Sequence, residues 1–224
     1  MILEKSGSFV QDARLYSSIA AEDMKKLEGF HRIRHVFNSA MREVSAKLET
    51  LDDEFEIIYD HNPIHHIESR VKSPMSIADK LRRKGLNIDT QTAVENLTDI
   101  AGIRVICFYQ DDIYRIADML TGQDDVELVE KLDYIANPKE NGYRSLHLVV
   151  KVPVFLSQAS QRVPVEVQMR TVSMDLWASV EHQISYKRSA AVKAKYAQEM
   201  MEFADDAHRL DLKIQDIWRR VNQE

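Results

Sequence analysis

The stretch Ile100–Tyr109, IAGIRVICFY, constrains this chain more than any other. It is almost continuously apolar, and a strand of that kind is buried on both faces. The sheet that holds it therefore needs helices packed over it. The flanking segments supply them. From Ile33, apolar residues recur at Val36, Phe37, Ala40, Met41, Val44, Leu48, Leu51, Phe55 and Ile58, the spacing of one long helix face. That pattern stops at Pro63. An extended piece is expected over His66–Lys72, then a helix opened by Pro74 and closed at Gly85. A short helix follows over Asp89–Asn96, and another over Asp111–Thr121.

Beyond this point strands dominate. Val126–Asp133 is one, and Ser145–Val154 and Arg162–Arg170 read as a pair joined around Leu156–Gln161. Asn141-Gly142 suits a hairpin turn ahead of them. Helix resumes from Ser173 to about Tyr186. The last segment spaces Val192, Tyr196, Met200, Phe203, Ala207, Leu210, Ile214, Ile217 and Val221 by fours and threes. That heptad-like seam is suited to packing on the N-terminal helix or on a second subunit. The expected fold is α/β (α+β), a mixed sheet flanked by long terminal helices. Its parts are an N-terminal helical extension (1–60), a core (61–187) and a C-terminal helix (188–224).

Composition narrows the function. The 224 residues carry a net charge of −6, which disfavours a broad nucleic-acid interface. The charge is uneven, however. Arg70–Lys84, RVKSPMSIADKLRRK, holds six basic residues and one acidic residue, suiting a compact anionic ligand or a solvated helix face. No apolar run is long enough to cross a bilayer. The first residues lack the apolar core of a secretory signal, and the single cysteine, Cys107, reads as a buried thiol. A cytoplasmic protein is expected.

Strand alternation sorts the polar residues. In VPVEVQMRT, Val165, Val167 and Met169 face one way and Glu166, Gln168 and Arg170 the other. On an edge strand such a face would be ordinary; on a covered one it asks for a ligand. Asp99, at the mouth of the IAGIRVICFY strand, could join Glu166 to hold a hard cation, or could be a turn residue. Arg104 faces away from Ile103 and Val105 and needs an ion-pair partner or a ligand. Ser76, Lys80 and Arg83 share a helix face. No phosphate-binding glycine loop accompanies them. His61, His65 and His66 read as a polar turn, with a regulatory metal left open.

Four blocks, DIAGIRV, NPKENGYRSLH, PVEVQMRT and WASVEHQISYK, together resemble the synthetase domain of the RelA/SpoT alarmone enzymes. The run YDHNPIHHIESRVKS resembles most the small RelP subgroup. The resemblance implies a nucleotidyltransferase-like core that transfers the β,γ-pyrophosphate of ATP to the 3′-hydroxyl of GDP or GTP, releasing AMP. It implies ATP binding by Arg70, Lys72, Ser76, Lys80, Arg83 and Arg104, with Arg70 and Arg104 sandwiching adenine. Asp99 and Glu166 would bind Mg²⁺, with Glu166 accepting the hydroxyl proton and Gln168 close by. Tyr143 would stack on guanine, Lys139 and His147 would reach the acceptor phosphates, and Arg144, Asp175 and Glu181 would support that site. A homotetramer is implied. No hydrolase segment, membrane contact or stable nucleic-acid partner is expected.

Two positions depart from the family pattern. Leu132 stands where a basic residue commonly precedes the DYI motif, with Lys131 before it. Asp175 stands where some small synthetases have asparagine. A tRNA 3′-end pyrophosphokinase and a silent nucleotide- or RNA-binding regulator remain the rival readings.

Overall fold

The computed structural model describes residues 21–59, 61–185 and 188–222. These residues fall into two compact units. One comprises residues 21–36 and 72–97. The other comprises 37–59, 61–71 and the described residues from 98 onward.

In the first unit, the start of α1 (Ala21–Tyr59) accompanies α2 (Pro74–Arg83) and α3 (Thr90–Asn96). Ser73 caps α2, its hydroxyl accepting from the Ser76 backbone N–H, and Pro74 follows at a position whose N–H needs no partner. Pro74, Ile77, Ala78 and Leu81 form the buried stripe of α2. Gly85, at φ 68°, ends the helix in the left-handed conformation, and the Leu86 N–H closes back on the Leu81 carbonyl at 3.0 Å. Asp89 caps α3 through the Thr92 N–H.

The second unit holds the sheet. Its strands are β1 (Ile64–Val71), β2 (Ala101–Cys107), β3 (Glu127–Asp133), β4 (Leu146–Phe155) and β5 (Ser160–Thr171), in spatial order β1-β2-β5-β4-β3. Only β2 and β5 run parallel. The helix α4 (Gln110–Thr121) packs on β2, β4 and β5. It buries Ile113, Ile116, Ala117 and Leu120. Ile103, Val105, Leu146, Leu148, Val150, Val165, Val167 and Met169 are buried with them. Each of these Ile, Val, Leu and Met side chains contributes about 1.5–3 kcal/mol relative to exposure. Phe37, Ala40, Met41, Val44, Leu48, Leu51 and Phe55 form the buried stripe of α1 in this unit, whereas Ile58 is exposed. A Lys47–Asp125 ion pair at 2.8 Å and Arg115 over the Phe55 ring tie α1 to the α4 side.

After β5 come α5 (Val172–Ser185), α6 (Ala190–Lys195) and α7 (Ala197–Val221). Two expectations change here. First, β2 is buried on both faces only from Val105 onward; Gly102 and Arg104 are half-buried on a face that stays open. Between β3 and β4, Asn141-Gly142 lies in the longer turn expected to present Tyr143 rather than in a two-residue hairpin. The β3–β4 connection runs over residues 134–145, and Gly142 lies inside it at φ 84°. A Cβ on Gly142 would sit 2.5 Å from Ala204 Cβ and 3.1 Å from Met201 Sδ, so the loop lies directly against α7. Second, the C-terminal seam is interrupted at Tyr196, and of its residues on α7 only Ala207 is buried, with Met200 and Phe203 half-buried. The buried residues of α7 are Ala204, Ala207, Asp211 and Gln215, while Leu210, Ile214, Ile217 and Val221 are exposed. Tyr186 and Lys187, at the end of the expected helix and core, lie outside the described residues, as do residues 1–20 of the N-terminal extension.

Candidate active site

Directly opposed residues in a sheet share a face. The register therefore lines up Glu68, Arg104, Gln168, His147 and Leu132 across all five strands. The adjacent row is Arg70, Gly102, Glu166 and Val149. This is the face opposite α4. Gly102 leaves a gap in the second row, between Arg70 and Glu166. A Cβ there would meet nothing nearer than the Arg70 carbonyl oxygen at 4.0 Å. Asp99, just ahead of β2, is close enough that its charge acts on Glu166.

A continuous polar network covers this face. Gln168 Nε2 donates to Glu166 Oε2 at 3.0 Å. Arg170 Nη2 donates to Gln168 Oε1 at 3.2 Å and to the Tyr143 hydroxyl at 2.7 Å. Tyr143 Oη and His147 Nε2 are 2.8 Å apart, and His147 Nδ1 lies 3.7 Å from Glu166 Oε1. On the other side Arg170 Nη1 donates to Asp175 Oδ1 at 3.0 Å. Asp175 also lies 3.7 Å from Arg104 Nε, and Arg104 Nη1 donates to Glu68 at 3.0 Å. The chain of contacts thus runs from β1 across β2 and β5 to the loop before β4, with α5 contributing Asp175.

The electrostatics favour an ionised Glu166. Burial pushes its carboxyl up, and the Asp99 charge adds to that. The His147 imidazole and the Gln168 amide outweigh both, and the group ends below the ordinary carboxylate value. Beside it stands an aromatic platform. Tyr134 packs edge-on against Tyr143 and His147, with ring centroids 6.0 and 5.3 Å apart. Lys139 Nζ lies over Tyr134 and Tyr143 at 4.5 and 5.0 Å, and the Arg170 guanidinium lies 5.2 Å from the Tyr143 ring. Trp177 of α5 backs Tyr143.

Of the residues singled out in the sequence, Arg70, Asp99, Arg104, Lys139, Tyr143, His147, Glu166, Gln168 and Asp175 all belong to this side of the second unit. Arg144 turns elsewhere: its guanidinium lies 3.6 Å from Asp205 of α7. Glu181 accepts from the Ser185 hydroxyl at 2.7 Å. Ser76, Lys80 and Arg83 lie on the exposed or half-buried side of α2 in the first unit; Lys72 follows the end of β1. Among the described residues no group of three or more His, Cys, Asp and Glu side chains could hold a metal. His61 is instead 3.0 Å from Asp112 and packed on Trp218, and His65 contacts His66.

Sequence reasoning passed over Arg170, Glu68 and Tyr134. Alternation puts Arg170 on the correct face but gives it no role; only the distances reveal it as a hub. Leu132 shares the site face at its rim. Lys131 cannot replace a basic residue there, because it points the other way and lies 3.7 Å from Asp118 of α4.

Comparison with known proteins gives this face a context. Residues 69–191 match the family model described as a region found in RelA / SpoT proteins. The GTP pyrophosphokinase YwaC of Bacillus subtilis is 43% identical over 187 residues, covering 84% of this chain and 89% of that one. The small alarmone synthetase 1 of Bacillus subtilis bound to its product pppGpp superposes with a TM-score of 0.78 at 35% identity, covering 88% of this chain and all of that one. The same enzyme bound to AMPCPP gives 0.73 at 30% identity, with the same coverage.

Proposed function

This chain belongs to the RelA/SpoT family, and we propose that it is a (p)ppGpp synthetase that transfers pyrophosphate from ATP to the 3′-hydroxyl of GDP or GTP, releasing AMP. The observation that carries the reading is the ionised Glu166, with hydrogen-bonding groups facing both oxygens, beside Asp99 and next to the Tyr143 platform. The similarity to synthetases solved with pppGpp and with AMPCPP supports two nucleotides as its substrates.

Transfer to a hydroxyl needs a group that accepts its proton and positive charge around the phosphates. Glu166 is the acceptor in this reading. A carboxyl held below its ordinary value is ionised at neutral pH, and so is ready to take a hydrogen bond from the attacking hydroxyl. The space above Gly102 leaves that carboxylate accessible. Asp99 and Glu166 are hard oxygen donors whose mutual repulsion a divalent cation would relieve, so Mg²⁺ fits this pair. Such an ion would neutralise phosphate charge. Tyr143 supplies a stacking surface for guanine, and Lys139 and His147 stand beside it for the acceptor phosphates. Arg70 and Arg104 are on the same sheet face, and guanidinium planes stack well on adenine. Lys72, Ser76, Lys80 and Arg83 are assigned to the ATP phosphates on the family resemblance. The exposed apolar seam of α7 supports assembly into a homotetramer through that helix.

The test is nucleotide separation after incubating the protein with Mg²⁺, ATP and either GDP or GTP. A guanosine product carrying a 3′-pyrophosphate, with AMP in equal amount, is expected. Glu166→Gln should lower turnover by at least about 100-fold. Absence of product with both acceptors, or full activity in Glu166→Gln, would overturn the assignment.

A further inference from the structure

We propose that Arg170 is a positioning residue that sets the direction of two polar chains converging on opposite oxygens of Glu166, one through a hydrogen bond and one through an electrostatic contact. The inference rests on the synthetase reading of Glu166 and adds the device that aims its carboxylate. A guanidinium can only donate. That one-way character propagates along both chains.

The first chain passes through Gln168. Its Oε1 accepts from Arg170 Nη2 at 3.2 Å, which leaves Nε2 to donate to Glu166 Oε2 at 3.0 Å. The reversed amide would put an oxygen against the carboxylate and an NH₂ against the guanidinium. The second chain passes through Tyr143. Its oxygen accepts from Arg170 Nη2 at 2.7 Å, so its own O–H is directed to His147 Nε2 at 2.8 Å. The imidazole proton is then left on Nδ1, which faces Glu166 Oε1 at 3.7 Å, an electrostatic contact longer than a hydrogen bond. One carboxylate thus has a hydrogen-bond donor on Oε2 and an N–H facing Oε1, and both groups are oriented by the same guanidinium.

Arg170 is itself fixed. Its side chain is 6% exposed, and Nη1 is held by Asp175 at 3.0 Å. Lysine could not take its place: an ammonium is a point charge on a flexible stem, not a planar fork able to serve three acceptors at set angles. The arrangement also joins the aromatic platform to the reacting carboxylate, because Tyr143 belongs to one of the two chains.

Two roles must be separated in the test. Arg170 neutralises the partly buried Asp175 carboxylate, and it orients the two chains. Arg170→Met/Asp175→Asn removes the charge pair as a pair, so it isolates the second role. Steady-state kinetics with ATP and GDP are compared with Asp175→Asn alone. We expect a cooperative melt, a kcat lower by about 100-fold, the order set by roughly 1 Å of misplacement, and a KM for ATP within about twofold.

Gln168→Met and Tyr143→Phe each cut one chain. In the parental protein their losses in kcat should multiply. In the Arg170→Met/Asp175→Asn background each should cost less than about twofold, since both chains are already undirected. Turnover within about threefold of Asp175→Asn, or a full parental loss from Gln168→Met in that background, would overturn the inference. If the paired variant does not melt cooperatively, Arg170→Lys, which keeps a cation beside Asp175, enters the same cycle under the same criteria. Absence of product from the parental protein would overturn the synthetase reading and this inference with it, an outcome distinct from either failure above.

Discussion

Replacing Gly142 with alanine perturbs the fold and the platform together, and its size can be worked from the structure. At φ 84° an L side chain costs roughly 1–2 kcal/mol. The new Cβ would stand 2.5 Å from Ala204 Cβ and 3.1 Å from Met201 Sδ. Ala204 Cβ is fixed to the backbone of α7, so no rotamer change clears it. Either the loop or the helix must move, and overpacking of this kind costs about 1–3 kcal/mol. The sum is roughly 2–5 kcal/mol, or a fall in melting midpoint of about 4–20 °C at about 2–4 °C per kcal/mol for a chain of this size. Because Tyr143 is the next residue, the displacement should also raise KM for the guanine nucleotide more than KM for ATP. Thermal melts and steady-state kinetics read both effects. Adding Ala204→Gly should return the packing part and leave the dihedral cost. A midpoint within about 2 °C of the parent, or equal rises in both KM values, would refute the reasoning.

Two other expectations are direct. Gly102→Ala meets no protein atom nearer than 4.0 Å and should melt within about 3 °C of the parent, yet its methyl enters the gap beside Glu166 and should lower turnover by at least about tenfold; parental activity would show that the gap is not used. Leu210→Glu/Ile217→Glu should lower the mass measured by light scattering without changing the circular dichroism spectrum, because both side chains are exposed on α7; an unchanged mass would remove this helix from the assembly.

The parts of the fold that follow local rules were legible in the sequence. Ser73, Pro74 and Gly85 delimit α2 through capping chemistry, and the alternation in VPVEVQMRT sorts the two faces of β5. The C-terminal helix was legible as a helix but not in its orientation. Hydrophobic periodicity selects Ala207, Leu210, Ile214 and Ile217, of which only Ala207 is buried; α7 otherwise packs through Ala204 and buried polar residues. Ala204 and Ala207 permit close approach, Asp211 accepts from the Thr171 hydroxyl at 2.7 Å, and Gln215 accepts from the Asp111 N–H at 3.0 Å. Such a face carries its energy in satisfied hydrogen bonds and close contact, to which a hydropathy period is blind. The same limit applies to IAGIRVICFY, where one arginine and one glycine leave half a face open in an otherwise apolar run.

The candidate site repeats this division at finer scale. Alternation places Glu166, Gln168 and Arg170 on one face, and the strand register adds Arg104, Glu68 and His147. Neither says which way a proton points. That direction depends on contacts between residues from separate elements: Arg170 on Tyr143, Tyr143 on His147, Asp175 on Arg170. Only Arg170 is an obligate donor in the two chains that reach Glu166, so only it can break their symmetry. A single substitution there should therefore disturb both oxygens of Glu166, whereas one at Gln168 or Tyr143 should disturb one.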